Sequence, residues 1–158
     1  MEKPIILFGD SITQGSFSTS GFGAYISNVY ARRLDVLNRG FSGYNTRWAK
    51  KYASKIFPPK TTKASLITIF FGANDASIVE LNPRQHVPID EYGKNLIYLC
   101  NHVKKMCKGR ILLVTNPPVD HLKRLEFQRQ RYGKEATGIL ERTNEVAGLY
   151  AAKCVEVA

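Results

Sequence analysis

Ser11 is the residue in this sequence best placed to act as a nucleophile. It follows Gly9 and Asp10 after an apolar run, Pro4 to Phe8, that reads as a short buried strand, and the glycine lets the backbone turn sharply before the serine. A hydroxyl at the C-terminal end of a strand in an open α/β sheet lies where the loops leaving successive strands converge and ligands bind. Asp10 and Ser11 also suit the capping of a following helix, as short polar side chains do. Acyl transfer by serine further needs a base for the hydroxyl proton and donors aimed at the oxygen that becomes negative in the tetrahedral intermediate. The donors can be placed: the backbone N–H of Ser11 and of Gly43 and the side-chain amide of Asn74 each follow a strand-like stretch. Glycine lets the backbone come close, and asparagine supplies a donor that carries no charge.

The base is harder to place. His121 follows Asp120 after the fourth strand-like run, at the same expected edge, but immediate sequence neighbours seldom point at each other well enough to form an Asp–His pair. His86 falls in an irregular loop and His102 in a helix with charged neighbours, as surface or boundary residues do. No internal replacement for a general base is expected.

Four strands and four main helices must position these groups. After a flexible passage over 15–23, an amphipathic helix from about Ala24 to Arg33 would turn Tyr25, Val29, Ala31 and Leu34 inward. Asp35 to Arg39 reads as the second strand, followed by a glycine loop in which Asn45 or Thr46 can cap a helix carrying Trp48, Tyr52, Ile56 and Phe57, stopped by Pro58 and Pro59. Leu66 to Phe71 is a third, strongly apolar strand leading into Gly72-Ala73-Asn74-Asp75-Ala76. The longest helix opens at Asp90 and keeps Tyr92, Leu96, Leu99, Cys100, Val103 and Cys107 in one rhythm until Gly109 ends it. Ile111 to Thr115 is the fourth strand, a last helix is expected from about Ala136 to Lys153 burying Leu140, Val146, Leu149 and Tyr150, and Cys154 to Val157 reads as the start of a fifth strand. Alternating short apolar strands and helices predict a three-layer α/β/α fold with a mainly parallel sheet in a single domain, 1–158. Ser11, Gly43 and Asn74 then share one edge of that sheet.

Bulk properties narrow the classes. The chain has 158 residues, 44% apolar and 23% charged, ordinary for a globular domain, and no apolar run approaches the roughly 20 residues of a membrane helix. No signal-peptide pattern precedes the first strand, so a cytoplasmic protein is expected. Cys100, Cys107 and Cys154 form no C-x-x-C pair, and Cys100 and Cys107, two turns apart on one expected helical face, read as small core residues, not as metal ligands. The formal charge of +10 raises nucleic acid as a partner, but the densest basic stretch, Lys123 to Arg131, interleaves apolar and acidic residues as a solvated helix face does, so no specific nucleic-acid site is expected. Gly9 to Gly15 matches neither G-x-G-x-x-G nor a P-loop, and the turn at Ser11 lacks the second glycine of G-x-S-x-G.

Gly9-Asp10-Ser11-Ile12-Thr13, then Gly43 within the loop 38–45, then Gly72-Ala73-Asn74-Asp75 resemble, in order, the first three sequence blocks of the SGNH (GDSL-type) hydrolases. The stretches Arg39 to Ala49 and Ile69 to Ala76 are most similar to the isoamyl acetate-hydrolysing esterase branch. The resemblance implies an SGNH, flavodoxin-like fold and an esterase acting on small acyl esters such as acetates. It also implies Ser11 as nucleophile, Ser11, Gly43 and Asn74 as the oxyanion hole, and no metal or cofactor. In the family the base and its orienting carboxylate come from a D-x-x-H block after a fifth strand. No D-x-x-H occurs here, so by resemblance the domain is incomplete at its C-terminus, with the last strand and helix missing. Two other classes compete: a catalytically inactive acyl-ester-binding or regulatory form, and, from the charge, a nucleic-acid-binding protein. An open sheet edge would further favour self-association.

Overall fold

The structure, a computed structural model, describes residues 3–58, 63–105 and 107–158. Its centre is β1 (Ile5–Gly9), an apolar strand buried along its whole length. It pairs in parallel with β2 (Val36–Gly40) on one side and β3 (Ala64–Phe70) on the other, and β4 (Cys107–Val114) adds in parallel to β3, giving the order β2-β1-β3-β4. Parallel neighbours cannot be joined by a tight hairpin, so helices occupy the connections. A short turn α1 (Ser11–Gln14) and α2 (Phe22–Val29) follow β1, α3 (Thr46–Ile56) follows β2, and α4 (Ile89–Lys104) follows β3. After β4 come α5 (His121–Tyr132) and α6 (Asn144–Val157).

The two faces of the sheet are covered unequally. Ile6, Phe8, Ile67, Ile69, Ile111 and Leu113 alternate onto one face and form a single core with the inner sides of α3, α4 and α6. Phe8 is the hub, meeting Phe57 and Phe71 edge-on with ring centroids 4.9 Å apart in both cases. Phe70 turns to the opposite face and meets Phe22 of α2 at 6.1 Å. Helices therefore lie on both faces, as the alternating pattern predicts, but the second layer is thin. Leu112 of β4 stays 51% exposed, and on α2 Tyr25 and Val29 are 70% and 50% exposed instead of facing inward. That helix also ends four residues earlier than Arg33, and Arg32 adopts a left-handed φ of 67°.

Three other expectations are corrected. The longest helix ends at Lys104, and Gly109 is not its cap: β4 already begins at Cys107, so Cys107 is a strand residue and shares no helical face with Cys100. Pairing steps from Ala64 with Cys107 to Leu66 with Arg110, which inserts one extra residue in β4 over the stretch holding Gly109, the usual use of a glycine inside a strand. The segment from Ala136 is not one helix. Asp120 caps α5, whose last turn meets Gly133, and α6 starts only at Asn144, capped by Thr143. Tyr150 is buried, but Leu149 faces outward. Finally, Cys154 to Val157 is no strand: Val146, Tyr150, Cys154 and Val157 recur at helical spacing against the core, and a four-residue stretch is too short to carry a periodicity that separates the two. Pro59, expected to help stop α3, lies outside the described residues.

Candidate active site

Strand register sets the site. Gly9 lies level with Gly40 and Phe70, and Phe70 with Val114, so the loops carrying Ser11, Gly43, Asn74 and Asn116 leave the sheet at one edge. Gly9 is glycine because of crowding: a Cβ there would overlap the Thr13 side chain and come within 2.5 Å of the Phe70 carbonyl oxygen. Gly43 is glycine for conformation, since its φ is +79° and the space beside it is open.

The turn at the nucleophile candidate divides its labour. Asp10, not Ser11, is the cap: its Oδ1 accepts from the Ile12 N–H at 2.9 Å. Ser11 begins α1 with an exposed side chain, and its hydroxyl has no hydrogen-bond partner among the described residues. The turn is tied to its neighbour by Gln14, whose side-chain Oε1 accepts from Ser42 N–H at 2.8 Å and whose carbonyl accepts from Asn38 at 3.0 Å. The Phe41 N–H donates to the Gly9 carbonyl at 2.9 Å. From that loop the Tyr44 carbonyl accepts one N–H of the Asn74 amide at 2.7 Å. The loops carrying the three sequence-predicted residues are thus joined by hydrogen bonds.

Asn74 is held from its other side by Arg142. The guanidinium, 11% exposed, donates to Asn74 Oδ1 at 3.0 Å, to the Ala73 carbonyl at 2.7 Å, to Gln85 Oε1 at 2.5 Å and to Glu141 Oε1 at 2.6 Å. With Oδ1 accepting from Arg142, Nδ2 must face the Gly43–Tyr44 loop, and a primary amide has two N–H groups, of which Tyr44 uses one. Glu141 is shared with Arg124 and Gln128 of α5, so a buried polar cluster anchors this side of the site. Burial lowers the Arg142 pKa.

Two carboxyls lie beneath. Burial pushes Asp10 up to about 6, against the opposing pull of the Ile12 N–H and the Arg142 charge. Burial pushes Asp75 up to about 7, although Thr46 donates to its Oδ1 through both N–H, at 2.9 Å, and hydroxyl. The second oxygen of Asp75 is buried with no partner. Asp75 and Asn45, whose Oδ1 accepts from Trp48 N–H at 2.9 Å, fix the start of α3 beneath the Gly43 loop.

Each histidine is engaged elsewhere. His86 Nδ1 is 2.7 Å from the Ser77 carbonyl, His102 stacks on Tyr98, and His121 Nε2 accepts from the Asn144 N–H at 3.2 Å. His121 thus joins the starts of α5 and α6. No group of three or more His, Cys, Asp or Glu suited to a metal ion occurs among the described residues. Nor is any described helix long and apolar enough to cross a membrane.

Two cavities open near these loops, one lined by Ala73 and the other by Gly43 and Tyr44, and neither is lined by Ser11 or Asn74. One of about 300 Å³, mostly apolar, is lined by Ala73, Pro117, Val119, Phe127 and Ala147 among others. The other, about 540 Å³, is polar and opens beside Gly43, between α3 and the end of α5. Sequence reasoning missed Arg142, Gln14 and Gln85. Nothing around them, a polar loop before a helix or an exposed helical turn, signals contact with residues dozens of positions away.

A model of the GDSL-like lipase/acylhydrolase family matches residues 5–157. The chain is 44% identical to a GDSL esterase/lipase of Arabidopsis thaliana, covering all of this chain and 67% of that protein. It is 42% identical to the isoamyl acetate-hydrolyzing esterase 1 homolog of Mus musculus, covering 98% of this chain and 61% of that one. Among solved structures, the acetyl xylan esterase AlAXEase superposes with a TM-score of 0.74 at 16% identity, over 98% of this chain and 72% of that one. A lipase/acylhydrolase from Enterococcus faecalis gives 0.67 at 23% identity, over 98% and 70%. The chain spans 61–67% of the length of these curated relatives. With the family's glycine, serine and asparagine blocks at one sheet edge, the chain belongs to the GDSL-like lipase/acylhydrolase family.

Proposed function

We propose that the chain is the core of a serine ester hydrolase acting on small acyl esters of the acetate type. The Ser11 hydroxyl adds to the ester carbonyl while a base takes its proton. The oxyanion formed is held by the N–H groups of Ser11 and Gly43 and by the second N–H of Asn74. Collapse expels the alcohol, which takes up the proton, and water then repeats the sequence on the acyl-serine. No metal or cofactor is needed.

The observation that carries this reading is the freed hydroxyl of Ser11: Asp10 takes over the capping, and Gln14 and Tyr44 link that turn to Gly43 and Asn74. The apolar cavity beside Ala73 suits a short acyl chain. The relatives, an isoamyl acetate-hydrolyzing esterase homolog among them, agree with it. A second reading, ester binding without turnover, is favoured by the engagement of all three histidines away from Ser11. In that reading no base acts on the Ser11 hydroxyl.

Chromogenic acetate ester hydrolysis, compared between wild type and Ser11→Ala with and without added imidazole, tests both readings. Esterase chemistry predicts a slow Ser11-dependent rate that imidazole raises beyond its own solution reaction. Equal rates in both proteins under both conditions would leave only the binding role.

A further inference from the structure

The polar cavity beside Gly43 holds more positive charge than ester hydrolysis needs. Its wall carries the rings of Tyr44, Trp48, Tyr52 and Tyr132 together with Arg84 and Arg131, and no carboxylate lines it. Other arginines of the site region are paired with carboxylates: Arg47 with Glu91 at 2.6 Å, and Arg124 and Arg142 with one shared Glu141. Arg84 and Arg131 form no ion pair among the described residues, and Arg131 is instead held over the Phe127 ring at 5.8 Å. The Trp48 and Tyr52 rings are parallel within 5° at 6.0 Å, with Lys51 Nζ over both at 5.0 and 5.7 Å.

Two arginines lining one concave, aromatic-walled space can form a receptor for a planar or tetrahedral oxyanion. Arginine presents forked N–H donors that match carboxylate and phosphate oxygens, and the rings cover the carbon skeleton that bears them. Arg131 ends the basic run of α5, so part of what reads in sequence as a solvated helix face lines this cavity.

We propose that this cavity binds a carboxylate or phosphate group, and that the esters this chain accepts carry that group on their alcohol part. The link to the ester rests on the reading of Gly43 as an oxyanion donor, with the acyl chain in the apolar cavity and the alcohol part on the Gly43 side. Binding of the anion does not depend on that reading.

Trp48 is the sole tryptophan of the chain and stands in the cavity wall, so its fluorescence reports occupancy without any need for turnover. The intact protein is titrated with phenyl phosphate, benzoate and the uncharged benzyl alcohol. Saturable quenching is expected from at least one anion, at a concentration at least tenfold below that for benzyl alcohol; which anion binds tighter separates a phosphate from a carboxylate source. Arg84→Gln with Arg131→Gln should weaken that anion at least tenfold and leave benzyl alcohol unchanged. The charge-matched pair Arg32→Gln with Arg33→Gln, exposed and outside the lining, should change neither. Equal binding of anions and alcohol, equal loss in both paired variants, or no saturation with any probe would overturn the proposal. Ser11→Ala should leave the titration intact, so a failed nucleophile and an empty cavity give different results.

Discussion

The buried carboxyl of Asp75 makes the stability of this fold depend on pH in a direction opposite to that of most carboxylates. Its folded pKa, about 7, stands above the ordinary 3.8 because burial disfavours the charged form and the unpartnered second oxygen has nothing to stabilise it. The stabilisation from the neutral acid is therefore fully present below about pH 4 and is lost as pH rises through 7. A shift of three units corresponds to about 4 kcal/mol at most, because each unit is worth roughly 1.4 kcal/mol of differential stability. Asp75→Asn keeps an oxygen to accept from Thr46 and removes the titration. Urea unfolding of both proteins at several pH values between 4 and 8 isolates the effect, because titrating groups not coupled to Asp75 cancel in the difference. The difference should move in favour of the variant by a few kcal/mol as pH rises, with Asp10, pushed up to about 6, blurring the midpoint because its charge raises the Asp75 pKa. A difference that stays flat across this range would show that Asp75 is ionised and solvated, and would refute the account of the buried layer beneath the site.

Four shorter predictions follow from the fold and its contacts. Arg142→Met removes donors from Asn74, Gln85, the Ala73 carbonyl and buried Glu141, and should cost about 3–5 kcal/mol in urea unfolding as a broken buried pair does. Arg47→Ala, which breaks a half-exposed pair with Glu91, should cost no more than about 1 kcal/mol in the same assay. Gly43→Ala forces a side chain into φ +79° and should lower stability by about 1–2 kcal/mol in thermal unfolding, with a larger proportional loss of Ser11 reactivity. Leu112→Glu, on the thinly covered face of β4, should shift sedimentation towards monomer at high protein concentration and leave the melting temperature nearly unchanged.

What could be read from the sequence was what local pattern and short-range chemistry determine. The apolar runs of β1 and β3 are buried strands, and the polar residues that follow them meet because parallel strands in register put Gly9, Gly40 and Phe70 at one level. The capping at Asp10 and Asn45 was also legible, each closing within two or three residues. The contacts that give the site its shape were not. Arg142 reaches Asn74 and Ala73 across nearly seventy residues, and Asn45 donates to the Gln85 carbonyl across forty. Helix ends were misplaced where the chain offers competing signals: Gly109 looks like a stop but lies inside a strand, in the stretch where its register shifts, and Cys154 to Val157 looks extended but completes a helical stripe. Tyr25 and Val29 show a different limit, since helical periodicity marks an apolar side without stating what covers it.

The central claim is that Ser11, Gly43 and Asn74 hold one acyl group and its developing negative oxygen together. Incubation with a chromogenic acetate ester and imidazole, followed by intact-mass and peptide mass analysis, tests it most directly. One acetyl group is expected on Ser11 in the wild type, none in Ser11→Ala, and on the order of a hundredfold slower acylation in Asn74→Ala, the usual cost of losing one oxyanion donor. Acetyl groups confined to lysines or to His121, or acylation of Ser11 at an unchanged rate in Asn74→Ala, would contradict it.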